Sequence, residues 1–165
     1  MSSYLLLLVI LIAANSFIYK TVFAPHVLTV NVLALGKGNA TLVRAPDGKA
    51  LLIDDGPDAS ILRALGEILP IWQRSIDAII LTSASTKQTG GTRYVTSRYY
   101  VTNTVNFGSP DSPPYGTQLM FAKNISIIVI TPGIFTISYG ATSLAISSST
   151  SPGTFISDGK MILEN

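Results

Sequence analysis

Two glycine-bearing turns, GKGN at Gly36–Asn39 and PDGK at Pro46–Lys49, begin ten residues apart, with an apolar run before, between and after them. That arrangement prescribes strands joined by tight turns. HVLTVNVLAL (His26–Leu35) partly alternates, ATLVRA (Ala40–Ala45) returns, and ALLID (Ala50–Asp54) makes a third strand. The result is a meander. DASILRALGEIL (Asp58–Leu69) then sets Ile61, Leu62, Leu65, Ile68 and Leu69 at helical spacing, with Asp58 available as N-cap after Pro57. This helix is expected to cover one face of the sheet.

The next strand, Asp77–Leu81, runs into LTSASTKQTGG (Leu81–Gly91). A strand end opening into a glycine-flanked loop is where α/β proteins place ligands and nucleophiles. This loop offers serines, threonines, a lysine and a glutamine instead. Thr89–Tyr100 reads as a short helix of weak propensity. From Val101 to Asn165 the chain is rich in Ser, Thr, Gly and Pro, and its apolar runs ISIIVI, IFTIS and TSLAIS read as a second β-meander. The tract Ser147–Pro152 (SSSTSP) is a loop.

At the other end, Tyr4–Ala24 is interrupted by one charge, Lys20. About 20 mostly apolar residues suffice to span a bilayer. No Lys or Arg precedes the run, and the small-residue stretch VFA is followed by Pro25, so an uncleaved anchor fits better than a removed signal peptide. The expected division is an anchor or signal-like segment over 1–24 and a domain over 26–165. With one flanking lysine, the positive-inside rule leaves the orientation open.

Of 165 residues, 47% are hydrophobic and 12% charged, enough for one core. A net charge of +2 is too small by itself to imply a polyanionic partner. There is no cysteine, and the one histidine is His26, so a histidine-rich zinc site cannot be assembled within one chain.

Read together, VLALGKGNA, APDGKALLIDDGP and LTSASTKQTGG resemble the metallo-β-lactamase-like domain of ComEC-type competence proteins, which serve DNA internalisation. That family shows F-L-D-V-G-Q-G-D-A, a P-D-G-K turn, L-I-D-G-G-P and L-T-H-P-H-A-D-H-I-G-G in this order. ISYGATSLAISSSTSPG is similar to the family's third motif. The resemblance covers about Leu28–Pro152 and implies a bacterial α+β protein. Its fold would be a shortened metallo-β-lactamase-like αβ/βα sandwich, preceded here by an N-terminal transmembrane helix. Strands are present for both sheets but helices for essentially one outer face, and the chain stops at Asn165, short of the family's further histidine-bearing strand. An exposed sheet face would invite a partner or self-association.

The departures bear on function. By the resemblance, the first two ligand histidines fall on Ser83 and Ser85, the aspartate on Lys87, the next histidine on Gln88, and the metal-bridging aspartate of the third motif on Ser149. Ala34 and Asn39 replace two further aspartates. Hydroxyls and amides are poor zinc ligands, and Lys87 would bring a positive charge into a cation site. The resemblance therefore implies a degenerate metal site, with no metal and no cofactor expected.

The residues themselves bear on other chemistries. A serine hydrolase would need His26, or Lys87 as partner to Ser83 or Ser85, and nothing local supplies a positioned base. DDGPD (Asp54, Asp55, Asp58) has the oxygen chemistry for Mg²⁺ or Ca²⁺, but the simpler reading has Asp54 holding loop amides and Asp58 capping a helix. GKGN lacks the following helix that a phosphate loop requires. RYVTSRYY offers Arg93, Tyr94, Arg98 and Tyr99 as candidate nucleic-acid contacts, arginine for phosphate and tyrosine for base stacking; Tyr94 and Arg98 packing on each other is the structural alternative. The expectation is a membrane-anchored, catalytically inactive binding or scaffold module linked to DNA uptake, its domain extracytoplasmic by the family's usual placement, its partner an envelope or DNA-uptake protein. A hydrolase or nuclease with relocated chemistry is the alternative.

Overall fold

The computed structural model of the chain describes residues 2–22, 27–147 and 149–164. Helix α1 (Ser2–Val22) is followed by β1 (Leu28–Ala34), β2 (Asn39–Arg44) and β3 (Ala50–Asp55), which form the expected antiparallel meander. Val30 lies opposite Val43, and Leu42 opposite Leu52. The chain then crosses through α2 (Ser60–Ile68) to β4 (Ser75–Leu81), parallel to β3. A second crossover through α3 (Thr86–Thr89) and α4 (Thr92–Arg98) leads to β5 (Tyr100–Asn106), parallel to β4. Parallel neighbours need such crossovers, and their helices land on one face of the sheet.

A second, wholly antiparallel sheet follows: β6 (Gln118–Ala122), β7 (Ile125–Thr131), β8 (Ile134–Tyr139) and β9 (Thr142–Ser147). Then β10 (Gly153–Ser157) and β11 (Ile162–Glu164) return to the first sheet beside β1, giving it the order β11-β10-β1-β2-β3-β4-β5.

Strand β3 is buried along its whole length. On one face, Leu51 and Ile53 join Val30, Val43 and Ile80 against Ile127, Val129, Phe135 and Ile137 of the small sheet. On the other, Leu52 joins Leu42, Ile79, Ile61 and Leu65 of α2, and Val95 of α4. Fully burying one such aliphatic side chain contributes roughly 1.5–3 kcal/mol, so these two apolar layers hold the large sheet from both sides. The layers are therefore helices, large sheet and small sheet. On the small sheet Met120, Ile130 and Ile134 are exposed.

Three sequence expectations change. Tyr100–Asn106 and Gly153–Glu164 belong to the first sheet, so the second meander is confined to β6–β9; strand-to-sheet assignment is a long-range choice that local pattern cannot carry. Thr89–Tyr100 is not one helix: α3 ends at Thr89, α4 covers Thr92–Arg98, and Tyr100 already starts β5. Asp58 is not the N-cap of α2: that position is Ala59, and Asp58, exposed, accepts a hydrogen bond from the Ser60 amide at 2.9 Å. The N-terminal segment is helical, and Tyr4 through Ile12 are all exposed. Among the described residues, however, no helix is long and apolar enough to cross a membrane. His26 lies outside the described residues.

Candidate functional site

Strands β3 and β4 run parallel, so their C-terminal ends meet at one edge of the sandwich. There Asp54 of β3 faces Thr82, the residue just after β4. The Thr82 amide donates to Asp54 Oδ1 at 2.8 Å, and its hydroxyl lies 3.0 and 2.8 Å from Oδ1 and Oδ2. The same Thr82 Oγ1 accepts from the Gly133 amide of the small sheet at 2.9 Å and from Gln88 Nε2 at 3.2 Å. Tyr115, stacked on Phe107 with ring centroids 5.6 Å apart, donates its hydroxyl to the Thr82 carbonyl at 3.0 Å. One buried threonine thus ties β3, β4, the loop after β4 and the small sheet together. Asp54 adopts φ +54°, a left-handed conformation unusual for a residue with a side chain. Burial pushes its carboxyl up to about 6, against the lowering effect of the Thr82 hydrogen bonds.

Asp55, fully buried, serves a different partner set. It accepts from the Gly91 amide at 3.0 Å and from the Thr92 hydroxyl. Desolvation again dominates and raises it to about 6. Gly91 N also donates to the Gly56 carbonyl at 2.9 Å, and a Cβ on Gly91 would stand 2.1 Å from the Asp55 carbonyl oxygen. The double glycine is therefore a contact requirement: α3 and α4 can sit this close to the β3–α2 turn only if no side chain intervenes.

The loop residues singled out from sequence do come together. Ser83 Oγ donates to Gln88 Oε1, the Ser85 amide donates to Ser83 Oγ at 3.1 Å, and the Lys87 amide approaches Ser85 Oγ at 3.4 Å. Ser149 Oγ lies 2.8 Å from Ser147 Oγ at the end of β9. Ser85, Lys87, Gln88 and Ser147, with Asp54, Thr41, Gly133 and the GKGN turn Gly36–Asn39, line a cavity of about 470 Å³ whose floor is Val32, Phe135 and Ile146. The turn and the loop abut: a Cβ on Gly38 would lie 2.7 Å from the Lys87 carbonyl oxygen.

This cavity does not fit a zinc ion. Its lining offers hydroxyls, two amides, two lysines and one carboxylate already held by Thr82, and among the described residues no three His, Cys, Asp or Glu are grouped to hold a metal. The DDGPD carboxylates diverge, Asp54 toward Thr82, Asp55 toward Gly91 and Asp58 toward the surface. No hydrogen bond among the described residues joins Lys87 Nζ to Ser83 or Ser85, so a Ser/Lys pair is not assembled either.

Of the candidate nucleic-acid residues, Tyr99 is buried in the helix-side core and has no free face for a base. The arginines stack on their sequence neighbours, Arg93 over Tyr94 at 4.5 Å and Arg98 over Tyr99 at 5.9 Å, so the Tyr94–Arg98 pairing expected from helical spacing gives way to adjacent pairs. Sequence reasoning missed Thr82, Tyr115 and Gly133. Nothing in the local pattern marks a threonine at a strand end as the point where four segments meet.

No family model and no curated protein matches the chain. Solved structures do. A metallo-β-lactamase of Cronobacter sakazakii with a HARLDQ motif is 15% identical, with TM-score 0.51 over 67% of this chain and 52% of that one. A variant of the same protein with introduced histidines gives 15% identity and TM-score 0.53 over 70% and 59%. This chain thus spans little more than half the length of those proteins. At such identity the likeness shows the fold: the chain has a metallo-β-lactamase-like fold.

Proposed function

We propose that this chain is a membrane-anchored, catalytically inactive metallo-β-lactamase-like module of ComEC-type descent, acting as a binding or scaffold element beside an envelope or DNA-uptake protein. The observation that supports it is the content of the loop after β4. Ser83, Ser85, Lys87 and Gln88 stand at the strand end where this fold's metal ligands would be expected, and they form a neutral hydrogen-bonded cluster with one exposed ammonium. Without an ion to lower the pKa of a water molecule, hydrolysis by this fold has no nucleophile.

Anchoring rests on α1. Nine consecutive residues, Tyr4–Ile12, are exposed, which covers every direction around the helix, so no single stripe is reserved for a protein core. Apolar side chains exposed in every direction need another apolar medium, and lipid fills that role in this proposal, with the domain on the extracytoplasmic side.

The test is metal analysis of the full chain purified in detergent, with nuclease and esterase assays, followed by pull-down of the anchored protein from its native membrane. Substoichiometric metal, no turnover and a co-purifying envelope protein support the proposal. Bound metal at one per chain, or turnover abolished by Asp54→Asn, overturns the inactive reading. Release of the chain by alkaline carbonate washing overturns the anchor.

A further inference from the structure

We infer that the cavity at the ends of β3 and β4 is a binding site for a small oxyanion carried on a compact apolar body, a phosphate ester or a carboxylate. This rests on the reading of the site as one without metal and gives that site a ligand class.

The argument starts from what the lining has in place of cation ligands. Lys37 on the β1–β2 turn and Lys87 on the loop after β4 both border the cavity, on two backbones packed against each other at Gly38 and the Lys87 carbonyl. The one carboxylate in the lining, Asp54, has both oxygens engaged by Thr82. Asp58 lies near Lys37, outside the lining, and offsets part of that charge. Lys37 and Lys87 are exposed at the mouth while Asp54 keeps its charge buried beneath them, so the mouth carries two ammonium groups over one carboxylate, unlike the clustered carboxylates and imidazoles of a metal site.

Hydrogen-bond capacity has the same sense. Ser85 Oγ accepts from the Lys87 amide, leaving its proton for an acceptor in the cavity. Gln88 accepts from Ser83 and donates to Thr82, so it forms wall rather than ligand. Behind the polar rim, Val32, Phe135 and Ile146 make an apolar floor. About 470 Å³ lies within the roughly 300–1,000 Å³ typical of small-molecule sites. Apolar floor, hydroxyl wall and two lysines at the rim together match a molecule with a ring or short aliphatic body and one anionic end. Lysines act as point charges here, so either oxyanion geometry is accommodated.

The test is calorimetric titration of the full chain in detergent with phenyl phosphate and with benzoate, with benzyl alcohol as the neutral control, on the wild type, Lys87→Met, Lys37→Met and the double variant. Lys123→Met, away from the cavity, is the control. The expected result is saturable binding of one or both anions, weakened about tenfold in the double variant, lessened by salt, and untouched by Lys123→Met. Tighter binding of phenyl phosphate assigns a phosphate ester, and tighter binding of benzoate a carboxylate. Benzyl alcohol binding as tightly as the anions, anion affinity unchanged in the double variant, or no anion binding at all overturns the inference. If no anion binds and the preparation carries no metal, this inference fails and the inactive-module reading stands. If stoichiometric metal is found, that reading fails whatever the titration shows.

Discussion

Replacing Thr82 with valine keeps the shape of the side chain and deletes the oxygen on which the site converges. The amide of Thr82 still donates to Asp54, but Asp54 loses the hydroxyl at 2.8 Å, and the buried Gly133 amide loses its acceptor at 2.9 Å. A hydrogen bond to a charged group is worth about 1.5–3 kcal/mol, and a buried amide left without a partner costs about 1–3 kcal/mol. Because the losses share one atom they do not add fully, and about 3–5 kcal/mol is expected for Thr82→Val near neutral pH. The hydroxyl stabilises the ionised form of Asp54, whose carboxyl burial holds at about 6. Removing it raises that value further, so the loss must be larger at pH 7.5 than at pH 5, where Asp54 is already protonated. Urea unfolding of the full chain in detergent, followed by circular dichroism at both pH values, measures the difference. A loss below about 1 kcal/mol at pH 7.5, or equal losses at the two pH values, would refute the account of Thr82 as the tie between the sheets.

The unmodified chain should itself lose stability as pH rises. Asp54 and Asp55 are raised from 3.8 to about 6, so the unfolded chain releases their protons first and folding is most favoured below about pH 4; the loss is complete above about pH 6. A shift of about two units is worth roughly 3 kcal/mol per carboxylate at neutral pH, and Asp54→Asn should remove its share of the slope in urea midpoints between pH 4 and 7. Gly91→Ala forces a Cβ to 2.1 Å from the Asp55 carbonyl oxygen and should cost more than about 3 kcal/mol or prevent folding. Gly66→Ala meets nothing within 4 Å on α2 and should stabilise by up to about 1 kcal/mol in the same assay. Combined Ser83→His, Ser85→His, Lys87→Asp and Gln88→His should confer stoichiometric zinc binding, seen by atomic absorption after dialysis; a variant that folds and still holds no zinc would show that these positions do not converge as a metal set.

What could be read in the sequence followed from interactions that are short along the chain. The hairpins of β1–β3 are written in GKGN and PDGK, the period of α2 in Ile61, Leu62 and Leu65, and β7–β9 in three apolar runs with turns between them. What could not be read depends on distant partners. β5 is an edge strand, exposed or half-buried along its length, so YVTNTVN carries little apolar alternation to announce it. β10 joins the first sheet because Thr154 and Phe155 find Asn31 and Val30, more than 120 residues earlier in the chain. Tyr99 looked like a stacking platform beside two arginines, yet the turn from α4 into β5 puts it inside, in the layer with Val95 and Leu65.

The site divides along the same line. That Ser83, Ser85, Lys87 and Gln88 share one loop was legible, because a glycine-ended loop after a buried strand has few ways to run. What keeps that loop in place was not. Its geometry is set by backbone contacts at Gly90 and Gly91 and by the two buried aspartates, each satisfied by a threonine hydroxyl and a main-chain amide. These hydrogen bonds and close backbone approaches hold the frame of the site. A frame held in this way leaves the cavity-facing side chains free to be hydroxyls and ammoniums, and it is those side chains, through Lys37, Lys87 and Ser85, that determine the sign of the charge the cavity can accept.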